Sequence, residues 1–254
     1  MDRAGDTVTA MPKVAVVTGA SRGIGRACAE ALAADGWSVA IGYRSNEADA
    51  KEAVEALEVA GTPGMAVSLD VTDEASVAEA FRRVSYELGG VTGLVNNAGL
   101  SRDGLLLKYP MDVYERTMAT NLRGAFLCSK GALRGMLRAK WGRIVNMSSA
   151  VALHGNAGQT VYAATKAGLV GLTKSLAREV GTKGITVNAL CPGLLDTEMT
   201  SHLTEEARAY YLDQTPIGRA ATAAEVAAVV RFLMSEEASY VNGAVIPVDG
   251  GLTA

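Results

Sequence analysis

The chain has 254 residues, of which 49% are hydrophobic and 20% are charged, and its formal net charge is −3. This is the balance of an ordinary soluble globular protein, and a chain of this length can bury a large core without disulfides or metals. Because the sequence has no stripe of basic residues, we expect neither nucleic acid nor an anionic membrane to be its main partner.

Cysteine and histidine usage points to a protein of the cytoplasm without a metal site. Cys28, Cys128 and Cys191 are far apart and form no C-x-x-C pair, so we expect buried thiols in a reducing compartment. With only two histidines, a metal site built on imidazoles is not expected. Residues 1–11 lack the apolar centre of a signal peptide, and no apolar run is long enough to span a membrane. We expect a frayed extension over 1–11 and a single domain over 12–254.

Short β-branched runs alternate with longer stretches of helical spacing along the chain. The predicted strands are VAVVT (14–18), SVAIGY (38–43), GMAVSLDV (64–71), GLVNN (93–97), RIVNMSS (143–149), ITVNALCP (185–192) and AVIPV (244–248). The predicted helices include one after the first strand, then 47–60, a long segment over 111–139, a helix containing Tyr162, and two helices near 204–212 and 222–234.

These strands are continuous apolar runs, which is typical of parallel strands covered on both faces. Seven of them with intervening helices predict a single-domain, Rossmann-like, doubly wound α/β sheet with right-handed crossovers. Ligands of such sheets bind outside the carboxyl ends of the strands. Ser148 and Ser149, at the end of the fifth strand, should therefore lie at the binding edge.

The stretch TGASRGIG (18–25) follows the first strand and opens the first helix. Its glycines allow a tight turn and a close approach of backbone, and the helix N-terminus offers unpaired N–H groups to a pyrophosphate. A glycine-rich turn without a ligand would look similar, but the strand-turn-helix context favours a nucleotide. The residues expected to contact it are Gly19, Ser21, Arg22, Gly23, Ile24 and Gly25.

The end of the second strand predicts NADP(H) rather than NAD(H). An NAD enzyme usually places Asp or Glu there to bind the ribose 2′-hydroxyl, whereas this chain has GYRSNE. Arg44 and Arg22 offer two guanidiniums, which match a 2′-phosphate. The alternative is that both arginines are simply solvated.

Two further strand ends are expected to contact the cofactor. Asp70 and Val71, at the end of the third strand, should meet the adenine edge. Asn97, Ala98 and Gly99, after the fourth strand, should lie beneath the riboses. Either stretch alone could be only a capping turn.

Tyr162 and Lys166 lie one helical turn apart in VYAATKAGLVGL, so both side chains fall on one helix face. A phenol and an ammonium on the same face indicate proton chemistry, although a surface pair would have the same spacing.

Taken together, the motifs resemble the short-chain dehydrogenase/reductase family over nearly the whole chain. They are TGASRGIG, NNAG, Asn121 in MATNLRG, NMSSA, YAATK and NALCPG. Within that family the chain is most similar to bacterial 3-oxoacyl-[acyl-carrier-protein] reductases, as in KWGRIVNMSSAVALHGNAGQTVYAATKAG, KSLAREVGTKGITVNALCPG and IPVDGG.

The resemblance implies catalytic roles for four residues in a carbonyl reduction. Tyr162 would donate the proton. Lys166, together with the cationic oxidised nicotinamide, would lower the pKa of that phenol, and it would also bind the nicotinamide ribose. Ser149, thirteen residues before Tyr162, would orient the substrate carbonyl. Asn121 would hold a water that links Lys166 to solvent.

The stretch after the sixth strand is expected to complete the cleft. Pro192, Gly193 and Thr197 should pass beside the nicotinamide. Residues 194–215 are interpreted as a mobile lid over the substrate, with a plain surface helical hairpin as the alternative.

The expected function is NADPH-dependent reduction of a 3-oxoacyl group carried by acyl carrier protein. Two alternatives stay open: a family enzyme acting on a polyketide, acyl-CoA, sugar, steroid or other small carbonyl compound, and a nucleotide-binding protein without turnover. The resemblance also implies a homotetramer, although one sequence does not separate a dimer from a tetramer. An acidic carrier protein should meet basic residues at the cleft rim, and Lys140 and Lys183, with Arg143 nearby, are the candidates.

Overall fold

The computed structural model describes residues 13–59, 61–196, 200 and 204–254, so the expected extension over 1–11 lies outside the described residues. Within these residues one sheet contains β1 Val14–Thr18, β2 Ser38–Tyr43, β3 Gly64–Ser68, β4 Gly93–Asn96, β5 Gly142–Met147, β6 Ile185–Pro192 and β7 Val245–Val248. The helices are α1 Gly23–Ala34, α2 Glu47–Val59, α3 Glu74–Glu87, α4 Met111–Met118, α5 Gly124–Ala139, α6 Val151–His154, α7 Thr160–Val180, α8 Glu205–Asp213 and α9 Ala223–Leu233.

The strands are all parallel and lie in the order β3-β2-β1-β4-β5-β6-β7. The connections run one way from β1 to β3 and the other way from β4 to β7. The loops that leave β1 and β4 therefore diverge, which opens the crevice where doubly wound sheets bind ligands. The predicted fold class is confirmed.

Alternate residues of each strand pack against two separate layers of helices. In β1, Ala15 and Val17 belong to the core beneath α1, α2 and α9. Val14 and Val16 belong to the core beneath α3, α5 and α7. Because side chains of a strand alternate between faces, a strand covered on both sides is apolar throughout, as the sequence has it.

Three predicted strands end earlier in the structure than their apolar runs predict, and β4 does so by one residue, at Asn96. β3 stops at Ser68, because the next residues turn to cap α3: the Asp70 N–H donates to Ser76 Oγ, and Asp73 accepts from Ala75 N. β5 stops at Met147, which leaves the two serines that follow it in the loop above the sheet edge.

The segment predicted as one helix over 111–139 is helical throughout but contains a π-helical turn over Ala119–Arg123 between α4 and α5. Such turns insert one extra residue into a helix and are frequent at functional sites. Asn121 lies within this turn and is buried.

No helix in the described part of the chain is long and apolar enough to cross a membrane. Cys28, Cys128 and Cys191 are buried free thiols, as expected, and burial raises the pKa of Cys28 and of Cys128 to about 12. The described residues also contain no group of three His, Cys, Asp or Glu side chains placed to hold a metal ion.

Candidate active site

A cleft that opens to solvent lies over the carboxyl ends of the central strands. Of the predicted site residues, the cleft is lined by Ile24, Asn97, Gly99, Ser149, Tyr162, Lys166, Pro192 and Gly193.

The glycine turn between β1 and α1 is built so that backbone can approach a ligand. Gly19 and Gly23 have φ of 62° and 58°, values that favour glycine. A Cβ on Gly25 would lie 2.5 Å from the Gly19 carbonyl oxygen and 2.6 Å from Asn97 Nδ2. α1 begins without a side-chain cap and without an acidic residue in its first turn. Its N-terminal N–H groups therefore suit an anion such as a pyrophosphate.

The motif after β4 is tied to the glycine turn by hydrogen bonds. Thr18 Oγ1 accepts from the backbone N–H groups of Asn97 and Ala98, each at 2.9 Å. Asn97 Nδ2 donates to the carbonyl oxygens of Thr18 and Gly19, each at 3.0 Å. Ser21 lies in the same turn and is partly exposed. The two strand ends predicted to share the cofactor thus form one hydrogen-bonded unit.

Arg22 and Arg44 are exposed at the β1 and β2 ends of the same sheet edge. Burial opposes ionisation of the Asp70 carboxyl, but hydrogen bonds from Thr72 and the charge of Arg44 hold its pKa below the ordinary value. The acid nearest the end of β2, Glu47, is paired with Lys51 at 2.8 Å on α2. This edge therefore offers cations where an NAD enzyme offers a carboxylate.

Asp70 and Val71 do not line the cleft itself. Asp70 Oδ1 accepts from both the backbone N–H and the hydroxyl of Thr72. The Val71 side chain is buried against α5, where a Cβ on Gly124 would come within 2.7 Å of Val71 Cγ2. Any contact of Val71 with a ligand would therefore come from its backbone.

Tyr162, Lys166 and Ser149 converge in the cleft, as their spacing predicts. The Lys166 Nζ lies 5.5 Å from the centroid of the Tyr162 ring and donates to the Met147 carbonyl oxygen at 2.7 Å. The Ser149 hydroxyl and the Tyr162 phenol both line the cleft. Ser148, the neighbour most easily confused with Ser149, instead donates to the Lys166 carbonyl oxygen at 2.8 Å.

The acidities of this pair differ from the sequence-based expectation. Burial raises the pKa of Tyr162 to about 12, although the nearby Ser149 hydroxyl lowers it. Burial also lowers the pKa of Lys166 to about 8. Lys166 was expected to lower the phenol pKa together with the cationic oxidised nicotinamide. Among the protein groups alone, desolvation dominates both pKa values, and the ammonium is directed at the Met147 carbonyl.

Asn121 supports the cleft from behind. Its Oδ1 accepts from Leu100 N at 2.9 Å, and its Nδ2 donates to the Leu100 carbonyl at 2.9 Å and to Thr165 Oγ1 at 3.1 Å. A Cβ on Gly99 would lie 3.4 Å from Asn121 Oδ1 and 3.5 Å from Lys166 Nζ. The amide is therefore close to Lys166, while also fixing the loop after β4.

The outer rim of the cleft contains polar side chains that no motif identified. Asp103 Oδ1 accepts from Gln159 Nε2 at 2.9 Å, and Asn156 Nδ2 donates to Gln159 Oε1 at 3.0 Å and to the Tyr211 phenol oxygen at 2.6 Å. Further lining residues outside the motifs include Ser101, Val151, His154, Leu195, Thr200 and Leu252. Gln159 lies three residues before Tyr162, and this proximity is a signal that could have identified it.

Pro192 and Gly193 lie where they were expected, at the end of β6. A Cβ on Gly193 would come within 2.9 Å of Asp249 Cα, so a larger residue would displace the C-terminal loop. Within the predicted lid, α8 is held by an ion pair of Arg208 with Asp196 at 2.6 Å. Thr197 lies outside the described residues.

Lys140 and Lys183 lie at the opposite edge of the sheet. Each comes just before a strand, β5 and β6 respectively, and parallel strands begin at the edge away from the cleft. The strand lengths place both residues roughly 20 Å from Ser149. The prediction that they border the cleft of their own chain is therefore wrong.

Arg143 is also not a rim residue. Its side chain is buried over the Trp141 ring, 4.3 Å from the centroid, and its Nε donates to the Ser235 carbonyl oxygen at 3.1 Å. It joins the start of β5 to the segment after α9.

Comparison with known proteins agrees with this geometry. A family model described as enoyl-(acyl carrier protein) reductase matches residues 19–253. The 3-oxoacyl-[acyl-carrier-protein] reductases FabG of Pseudomonas aeruginosa and Escherichia coli are 48% and 46% identical to the chain, each over 94% of this chain and 97% of the relative. A solved blue fluorescent protein from a metagenomic library, in complex with NADPH, superposes with a TM-score of 0.90 at 40% identity and covers 95% of this chain and 98% of its own.

Proposed function

The chain belongs to the short-chain dehydrogenase/reductase family, and we propose that it reduces 3-oxoacyl groups bound to acyl carrier protein, with NADPH as the reductant. The observation that carries the proposal is the convergence of Tyr162, Lys166 and Ser149 in one cleft beside the glycine turn. The relatives named as 3-oxoacyl-carrier-protein reductases support the substrate class. The free buried thiols support a reducing, cytoplasmic setting.

Bound NADPH would supply the hydride for the carbonyl carbon. The residues that would hold it are the glycine turn with Ser21 and Ile24, Arg22 and Arg44 at the 2′-phosphate, Asp70 and the Val71 backbone near the adenine, Asn97 to Gly99, and Pro192 with Gly193. The close approach at Gly25 and the uncapped N-terminus of α1 fit such a ligand. We also assign Thr197 to this group from its sequence position alone.

Tyr162 acts as the proton donor to the carbonyl oxygen. Its pKa of about 12 keeps the phenol protonated throughout the neutral range, as a donor requires. Ser149 donates to the same oxygen and orients it. Lys166 supplies a positive charge behind the phenol, and Asn121 lies on the route by which a water chain would return the proton from solvent.

We propose that the protein assembles as a homotetramer. Leu107, Met111 and Phe126 are large apolar side chains with exposed fractions of 95%, 65% and 53%, more than an isolated chain normally leaves to solvent. Lys140 and Lys183 are remote from their own cleft, and we propose that they contact a carrier protein bound at the cleft of another protomer. Light scattering gives the mass of the assembly, and reversing both charges should raise KM for the carrier-bound substrate.

A substrate panel tests the proposed function. NADPH oxidation should be fastest with acetoacetyl-carrier protein, slower with acetoacetyl-CoA and slowest with a simple cyclic ketone, and NADH should replace NADPH poorly. Comparable rates on the ketone would remove the fatty-acyl assignment. Faster reduction of a 2-enoyl thioester would instead favour the activity that names the matched family model.

A further inference from the structure

The outer rim of the cleft contains a carboxylate without a described counter-charge. Asp103 lines the cleft and is held there by Gln159 Nε2 at 2.9 Å and by Ser101 Oγ at 3.3 Å. Both partners are neutral hydrogen-bond donors. Among the described residues, no Lys or Arg side chain forms an ion pair with Asp103.

The position of this carboxylate is fixed by the elements around it. The loop after β4 is joined to the start of α7 by the bond from Gly104 N to the Gly158 carbonyl oxygen at 2.8 Å. Gln159 then continues through Asn156 to the Tyr211 phenol on α8. Asp103 therefore belongs to a hydrogen-bonded rim that reaches from the loop after β4 to α8.

The charge of Asp103 reaches the reaction centre. Burial is the main cause of the raised pKa of Tyr162, and the Asp103 carboxylate adds to it. The same carboxylate contributes to the raised pKa of Tyr211, also after burial. The other titratable groups facing the cleft are His154 from α6 and Lys166, whose ammonium is engaged by the Met147 carbonyl.

Asp103 lines the same cleft as Tyr162 and Ser149, so a substrate whose carbonyl is bound by these two residues lies in the same cleft as this carboxylate. In a free 3-oxo acid the carboxylate lies only two bonds from the carbonyl carbon, and it would enter the field of Asp103. A thioester of the same acid is neutral at that position. Like charges at close range are repelled, whereas a neutral group is not.

Building on the proposed carbonyl reduction, we propose that Asp103 is a specificity-determining residue that excludes carbonyl compounds bearing a nearby free carboxylate and admits their neutral thioesters and esters. The residue thus restricts the substrate class to activated acyl groups.

The test compares kcat/KM for acetoacetate and for its neutral analogue ethyl acetoacetate at pH 7.5, where an ordinary imidazole is mostly neutral. Asp103→Asn keeps an acceptor for Gln159 but removes the charge. It should raise the acetoacetate-to-ester ratio about fivefold, the effect of one unit charge a few ångströms away in a water-like medium. The ratio is used because any effect of the substitution on the proton donor is common to both substrates. Asp103→Lys should raise the ratio further.

Two controls separate charge from structure. Asp103→Glu keeps the charge, and Glu58→Gln removes an exposed charge from α2 on the far side of the fold, so both should leave the ratio unchanged. Added salt should weaken the discrimination of the wild type and not that of Asp103→Asn. An unchanged ratio in Asp103→Asn, or equal wild-type rates on both compounds, would overturn the proposal.

The outcome is separable from that of the proposed function. If the protein reduces ethyl acetoacetate but no carrier-bound thioester, the carrier assignment is contradicted. The acetoacetate-to-ester ratio can still be measured, and it still tests the role of Asp103. A protein that reduces the thioester and acetoacetate alike would retain the proposed function and contradict the role of Asp103.

Discussion

The acid-base pair of the cleft is governed by desolvation. Tyr162, with a pKa raised to about 12, remains protonated throughout the neutral range, whereas Lys166, with a pKa lowered to about 8, titrates close to it. Loss of the proton from Lys166, rather than from the phenol, should therefore limit catalysis at alkaline pH.

This assignment predicts the pH dependence of reduction. A positive Lys166 is required, so kcat/KM should be constant below the pKa of about 8 and fall as the pH rises through it. Lys166→Arg keeps its charge at all accessible pH values, and any activity that it retains should show no alkaline limb near 8. A wild-type profile that stays flat to pH 10 would contradict the assignment of Lys166.

Individual site residues were predictable where a motif fixed their spacing. Tyr162, Lys166 and Ser149 were predicted to lie together and do so. The pKa direction of Tyr162 was not, because spacing along a helix does not reveal how strongly burial disfavours a charge. Asp103 was missed because its role depends on contacts across loops.

At the scale of elements, the turn from β1 into α1 contains a glycine that has no room for a side chain, unlike the exposed glycine in the middle of α7. Gly25 is enclosed by Gly19 and Asn97, whereas a Cβ added to Gly171, in the middle of α7, would meet no atom of another element within 4 Å. The two positions form a matched pair for the same substitution.

Gly25→Ala should destabilise the protein by about 1–3 kcal/mol through overpacking and should weaken NADPH binding, since the turn must shift. Gly171→Ala should instead stabilise it by about 0.5–1 kcal/mol, because alanine restricts the unfolded chain and favours helix. Urea unfolding and NADPH titration of both variants measure the two effects. Equal effects at the two sites would contradict the packing described for the turn.

Buried polar side chains join the sheet to α5 and α7. Asn96 Nδ2 donates to Asn146 Oδ1 at 2.8 Å and to Ser129 Oγ at 3.1 Å, and Asn146 Nδ2 donates to Thr173 Oγ1 at 2.8 Å. The last bond fixes α7, the helix of Tyr162, against β5.

Thr173→Val preserves the shape of the side chain but leaves the buried Asn146 amide without this acceptor. The free energy of unfolding should fall by about 1–3 kcal/mol. The adjacent exposed Lys174→Ala should change it by no more than about 0.5 kcal/mol. Urea denaturation at constant pH distinguishes the two, and a neutral Thr173→Val would show that the network contributes little to stability.

At the scale of the whole molecule, the sequence predicted the type of sheet but not the order of its strands. Continuous apolar runs indicated a parallel, doubly covered sheet, and all seven strands were found in it. The prediction that Lys140 and Lys183 border the cleft was wrong because it came from resemblance alone. It ignored that both residues precede a strand and so lie at the edge of the sheet away from the cleft. The π turn at Asn121 was missed because the segments on both sides of it are helical, and one inserted residue has no sequence signal of its own.

The cationic edge at β2 predicts how the cofactor stabilises the fold. NADPH at 100 times its Kd should add about 2.7 kcal/mol to the free energy of unfolding.

Arg44→Glu should weaken NADPH binding by about 1.5–3 kcal/mol through the lost charge-assisted contact, while NADH, without the 2′-phosphate, serves as the internal control. Equal losses for the two dinucleotides would show that Arg44 does not recognise the phosphate.

Every step of the proposed reduction depends on Tyr162 as the proton donor in a dinucleotide-binding cleft. The direct measurement pairs NADPH-dependent reduction of an acetoacetyl thioester with the Kd for NADPH, in the wild type and in Tyr162→Phe, with the exposed Tyr86→Phe as the matched control. We predict that Tyr162→Phe loses at least about 100-fold in kcat while its Kd changes by less than about twofold. Turnover that survives in Tyr162→Phe, with NADPH bound as in the wild type, would contradict the role of this phenol.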